Sequence, residues 1–193
     1  MTTIFRLESL QVDTSAGPVA YDFSTDLTVL AGDTGVGKTS LLELVKFGLG
    51  GDGLIAPVVA DQVSEIHLTI RAGQSRLQLT RPISEGGRKH LRVIDLITGE
   101  QLPNHVAGSP ARRSDGDSEP EISDLLMGAL GLPTDLRAAP MSGSRPGAKI
   151  TFNDVFKYMY VPQSAINKEI AGSGDSYYEP KRRAVFELLF RLT

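Results

Sequence analysis

The sequence predicts an α/β fold, and three observations carry that prediction. A glycine-rich stretch, Ala31-Gly32-Asp33-Thr34-Gly35-Val36-Gly37-Lys38-Thr39-Ser40, stands between the apolar run Leu27-Thr28-Val29-Leu30 and a segment of helical periodicity that begins at Lys38. Residues 63 to 97 alternate apolar and polar in the manner of antiparallel strands. The chain closes on an amphipathic helix. The expected architecture is a mixed sheet around the helix that follows the glycine-rich loop, with an antiparallel subsheet and further helices beside it, all in a single lobe over residues 1–193.

Each element has its own signal. Residues 4 to 12 read as a strand whose apolar parity changes between Leu7 and Leu10, which suggests a bulge near Glu8-Ser9. Asp26 to Leu30 reads as a second strand, buried on both sides. From Lys38, the residues Leu41, Leu42, Val45 and Leu49 form a helical stripe that should stop in the cluster Gly48, Gly50, Gly51 and Gly53. Ile66, Leu68 and Ile70, then Leu77 and Leu79, then Leu91 to Ile97 mark three antiparallel strands. Residues 98 to 120 are rich in Gly, Pro, Ser and Asp and read as a mobile surface loop. A short helix is expected over Ile122 to Leu130, a Pro/Gly/Ser-rich stretch over 132 to 147, and a short element over Phe152 to Tyr160. The last helix starts near Pro180 and lines up Val185, Phe186, Leu189, Phe190 and Leu192. With no stop signal after that helix, the chain reads as cut before a further segment.

Composition narrows the function classes. With 193 residues, 40% hydrophobic and 22% charged, the chain can bury a real core and is not a disordered segment. No apolar run is long enough to cross a bilayer, and the N-terminus lacks the layout of a signal peptide, so a cytoplasmic protein without membrane contact is expected. The absence of cysteine excludes disulfides and thiolate metal sites. His67, His90 and His105 show no metal-ligand spacing, and no structural metal is expected. A formal net charge of -3 argues against a uniformly basic surface but leaves room for a local patch.

The glycine-rich stretch matches G-x-x-x-x-G-K-[ST] from Gly32 to Thr39, in the strand-loop-helix context that a phosphate-binding loop requires. Glycines at 32, 35 and 37 let amide N–H groups of Asp33, Thr34, Val36 and their neighbours through Ser40 turn toward a phosphate chain, and the helix adds its positive end. Lys38 would reach the β and γ phosphates, and Thr39 would place its hydroxyl on Mg²⁺. ATP is favoured over GTP because Asn167-Lys168-Glu169-Ile170 lacks the aspartate of a guanine-reading Asn-Lys-x-Asp. No apolar strand ends in an acidic pair. Val93-Ile94-Asp95-Leu96 comes nearest and reads as a strand-edge aspartate.

Three features together resemble the N-terminal head lobe of the structural-maintenance-of-chromosomes (SMC) and double-strand-break-repair ATPases, a branch of the ABC class of P-loop NTPases. They are the N-terminal order of IFRLESL, LTVLAGDTGVGKTSLLELVKFGLGG and then the antiparallel set; Tyr160-Val161-Pro162-Gln163, similar to the family's glutamine loop; and the closing helix YYEPKRRAVFELLFRLT, where the family's lobe enters its coiled coil. The resemblance implies that Gln163 joins Thr39 at Mg²⁺ and senses the γ phosphate, so that Lys38 and Gln163 are the catalytic candidates; Arg6, on the first strand, could approach the nucleotide in this arrangement, a solvated strand arginine being the other reading. It also implies ATPase activity once a C-terminal lobe, on the same or a separate chain, supplies the signature segment and the acidic pair. Two such heads would then sandwich ATP as a dimer, and the isolated chain would be inactive. Met141-Ser142-Gly143-Ser144 precedes the glutamine loop and is not the signature.

Arg71, Arg76, Arg81, Arg88, Lys89 and Arg92 face only Glu85 within their own stretch. Of these, Arg81, Arg88, Lys89 and Arg92 are the candidates for contact with double-stranded DNA, which the resembled family carries across the upper sheet of its heads; a solvated hairpin face is the other reading. Two alternatives to the ATPase remain open: a nucleotide-switched interaction module that binds ATP without hydrolysing it, and a small-molecule kinase, the latter disfavoured by the antiparallel strands.

Overall fold

The computed structural model describes residues 4–23, 25–84, 89–108, 119–140, 146–161 and 176–190. The chain forms two compact units, Met1–Gly131 and Leu132–Thr193. The first holds a six-stranded antiparallel sheet in the order β2-β1-β3-β4-β5-β6, built from β1 (Phe5–Thr14), β2 (Gly17–Asp22), β3 (Val63–Ala72), β4 (Ser75–Pro82), β5 (His90–Asp95) and β6 (Gln101–Val106). Helices α1 (Lys38–Gly48), α2 (Pro57–Gln62) and α3 (Ile122–Ala129) belong to the same unit. The second unit contains α4 (Phe152–Phe156), a 3-10 turn at Ser176–Tyr178 and α5 (Glu179–Phe190). No helix among the described residues is long and apolar enough to cross a membrane.

The sheet is two-faced because its strands alternate. Leu10, Val12, Ile66, Leu68, Ile70, Leu77, Leu79, Leu91 and Val93 are buried on one face. Gln11, His67, Thr80 and Arg92 form a row on the other, fixed by the pairings Gln11 with His67, His67 with Thr80 and Thr80 with Arg92. Pairing between β1 and β3 shifts between Leu7 and Ser9, which is the bulge that the parity change at Glu8-Ser9 predicts.

Helix α1 packs on the apolar face. Leu41, Leu44, Val45 and Phe47 are buried; burying one side chain of this size contributes about 1.5 to 3 kcal/mol. Leu42 of the predicted stripe is exposed, and Leu44 and Phe47 take its place in the core. The helix lies close to β3 at Gly48, where an added Cβ would stand 3.1 Å from both Ile66 Cδ1 and Leu68 Cδ2. It ends as the glycine cluster predicts: Gly50 turns left-handed at φ 88°, and its N–H donates to the Phe47 carbonyl.

Three expectations are corrected. Asp26 to Leu30 is no buried strand: it has no ladder partner among the described residues, and Leu27 and Val29 are 79% and 75% exposed. The chain returns along β1 earlier, as β2. Among the described residues every strand pairing of the sheet is correspondingly antiparallel, where a mixed sheet was expected. Within 98–120, expected to be loop, Gln101–Val106 pairs with β5. An edge strand needs little apolar sequence and tolerates Pro103. Residues 109–118 of that stretch lie outside the described residues.

In the second unit, Asp154 Oδ2 accepts from the N–H and hydroxyl of Thr151, closing the start of α4, and from Lys181 Nζ at 2.8 Å, tying α5 to α4. Val185 is fully buried, while Phe186, Leu189 and Phe190 of the expected stripe are exposed.

Two buried polar side chains make the fold testable. Arg81 on β4 is buried on the apolar face: its guanidinium donates to the carbonyls of Phe47 and Gly51 and lies 3.7 Å from the centroid of the Phe47 ring. Arg81→Met removes both of these buried hydrogen bonds, although the Phe47 carbonyl keeps the Gly50 N–H, and should lower unfolding stability by about 1 to 3 kcal/mol, read as a shift of the urea midpoint; an unchanged midpoint would show that the arginine is dispensable. His105 is buried on β6, and its Nδ1 has no hydrogen-bond partner among the described residues. Burial lowers its pKa, against opposing effects of the Pro103 carbonyl and Glu119. The unfolded chain therefore binds the proton more readily: this contribution is complete above the unfolded pKa, about 6.5, and is lost as pH falls below it. The melting temperature should drop between about pH 7 and pH 5 more steeply in the parent than in His105→Gln. Equal slopes would remove His105 as the source.

Candidate nucleotide site and basic strands

The head of α1 is built from backbone that only glycine adopts easily. Gly37, the residue before the helix, sits at φ 92° with no side chain capping the helix end, Gly35 at φ 90° and Gly32 at φ 150°. At Gly32 the space is also tight, since a Cβ would meet Val36 Cγ2 at 3.1 Å. These turns fold the loop over itself, so that the Lys38 ammonium donates to the carbonyls of Gly32 and Asp33, each at 2.7 Å. Every residue from Ala31 to Gly37 is exposed, as is Thr39; Lys38 and Ser40 are half-buried. The first turn of α1, which no side chain of the described residues caps, brings its positive end and its N–H groups to the same place. Chemically, this is an open anion cradle with a lysine that can exchange two backbone carbonyls for phosphate oxygens. Thr39 stands on the first turn with its hydroxyl available to a cation; no magnesium ligand set is assembled by the described residues here.

The other candidates fall differently. Gln163, Arg88 and residues 141–145 lie outside the described residues. Arg6 donates to Asp26 Oδ1 at 2.7 Å, on the segment that leads into the loop. Asp95 ends β5 and accepts from the Ile97 N–H at 2.8 Å, the behaviour expected of a strand-edge aspartate.

The basic patch is corrected at Arg81, whose buried guanidinium is committed to the end of α1 and cannot meet DNA. Lys89 and Arg92 are exposed, with Arg92 paired to Glu65 at 2.8 Å. Arg71 and Arg76 both donate through Nε to Glu8, at 3.3 and 2.7 Å. Burial pushes the Glu8 carboxyl up, but the hydrogen bonds and charges of Arg76 and Arg71 outweigh it and hold the pKa below its ordinary value. A count of acids within 71–92 misses Glu8 and Glu65, which arrive from neighbouring positions across and along the sheet. The same pairing sets Arg6 opposite Arg71 and Arg71 opposite Arg76, a row of three arginines across three strands. Like charges in register repel, and Glu8 beneath them offsets part of that cost. Only strand register could have revealed this row. No protein-family model matches the chain.

Proposed function

We propose that this chain is the ATP-binding N-terminal lobe of an SMC-like ATPase that uses ATP-driven head engagement and hydrolysis to act on DNA. The observation that carries the reading is the loop at the head of α1: three glycines in positive-φ backbone, an uncapped helix N-terminus and Lys38 folded over the loop. Mg²⁺ would be held by Thr39 and, on the resemblance alone, by Gln163. The extended segment before the loop supports completion by a second lobe. Leu27 and Val29 offer two exposed apolar side chains, on backbone outside any ladder of the described residues, to strands from elsewhere. On this reading the signature and the acidic pair belong to that C-terminal lobe, and the chain alone binds ATP without turnover.

Binding of Mg-ATP to the chain should be saturable, and Lys38→Ala should weaken it by about 10- to 100-fold, the size of one charge-assisted hydrogen bond, while circular dichroism stays unchanged. Parent affinity in that variant would mean that the loop is purely structural. Binding that persists without hydrolysis even beside a completing lobe would favour the interaction-module reading. For DNA, Arg88→Gln, Lys89→Gln and Arg92→Gln combined should weaken duplex binding and reduce the slope of log K against log salt by about one for each phosphate no longer neutralised. Unchanged affinity at low salt would remove these residues from the interface.

A further inference from the structure

We propose that Asp13, Glu65 and His67 form a binding site for a divalent transition-metal ion of the zinc class on the polar face of the sheet. Asp13 lies on β1, and Glu65 and His67 on β3, with Asp13 paired opposite Glu65. Their donor atoms converge. His67 Nε2 is 3.1 Å from Asp13 Oδ2 and 3.5 Å from Glu65 Oε1, and all three atoms lie within 4.8 Å of one another. Ligands held at about 2.1 Å from one zinc ion stand roughly 3.0 to 3.5 Å apart, so both separations are those of neighbouring ligands.

The partners behind these atoms make the arrangement more than a meeting of charges. His67 Nδ1 is 3.0 Å from Thr80 Oγ1, which fixes the ring and leaves Nε2 facing inward. Asp13 Oδ1 accepts from Gln11 Nε2 at 2.8 Å, leaving Oδ2. Glu65 Oε2 accepts from Arg92 at 2.8 Å, leaving Oε1. Each ligand thus has its outer polar atom tied by a different residue and its inner atom turned to a common centre, the division of labour that orients metal ligands in proteins. All three residues are half-buried, so one side stays open for water to complete the coordination. An imidazole nitrogen with two carboxylates favours Zn²⁺ over Mg²⁺ or Ca²⁺, which take oxygen. The bound ion would clip β1 to β3 and add its binding energy to folding.

The test is calorimetric titration of ZnCl₂ into the full chain, stripped with EDTA and free of nucleotide, with Co²⁺ absorption as a second readout. The expected result is one saturable equivalent and a visible Co²⁺ spectrum. His67→Gln and Asp13→Asn should remove the stoichiometric phase, Thr80→Val should weaken it by about 10-fold or more, and His90→Gln, on a histidine paired with Glu119, should leave it unchanged. Circular dichroism confirms folding of each variant; should a ligand variant fail to fold, Thr80→Val decides. Absence of a stoichiometric phase in the parent, or affinity untouched by both His67→Gln and Thr80→Val, would overturn the site and leave an ion pair only.

Discussion

The closeness of α1 to β3 governs the arrangement of the first unit. One end of the helix carries the glycine-rich loop; the other is pinned by a buried arginine. At that pinned end Gly48 lies close to β3: an added Cβ would stand 3.1 Å from Ile66 Cδ1 and Leu68 Cδ2, tight enough that those side chains would have to give way. This contact sets how closely the C-terminal end of the helix approaches the sheet. Lys38, the first residue of α1, is placed from that anchored end by the 11 residues of the helix. Arg81 adds a second anchor at that same end by donating from β4 to the carbonyls of Phe47 and Gly51, so that the C-terminal end of α1 is referred to both β3 and β4.

The opposite face of the sheet follows a different logic. There the strands bring together charges that are far apart in sequence: Glu8 with Arg71 and Arg76, Glu65 with Arg92, and Asp13 with His67. Pairs at a partly solvated sheet surface contribute little each to stability. Their effect is on surface chemistry, because they neutralise part of a stretch that looks strongly basic in isolation and orient the side chains that remain available. The polar row Gln11, His67, Thr80 and Arg92 supplies both the histidine and the residues that hold the proposed cation site in shape.

This division explains what was legible in the sequence. Local signals could be read directly: the helix period from Lys38, the glycine stop at Gly50, the alternation of β3 and β4, and the bulge at Glu8-Ser9. The glycine-rich loop was legible because its chemistry lies within one short contiguous stretch. What escaped was non-local. Asp13 and His67 stand 54 residues apart and meet only through strand register, so no spacing could announce them as ligands. Arg81 looks like its basic neighbours by charge, but it continues the Leu77, Leu79 alternation of β4 onto the buried face; the string does not show that the carbonyls at the end of α1 wait there for it. The edge strand β6, with Pro103 and little apolar content, is held by backbone pairing to β5, which side-chain patterns do not report. Leu27 and Val29 mislead for the opposite reason: their alternation is that of a strand, but the described residues supply no partner.

The most direct measurement is a calorimetric comparison of ATP, ADP and AMP binding to the chain in the presence of Mg²⁺. If the loop at the head of α1 is a phosphate cradle, affinity should fall from ATP to ADP and vanish with AMP, since Lys38 and the amides beside it address the terminal phosphates and not the base. Equal binding of all three nucleotides, or none of any, would contradict a phosphate cradle at this loop.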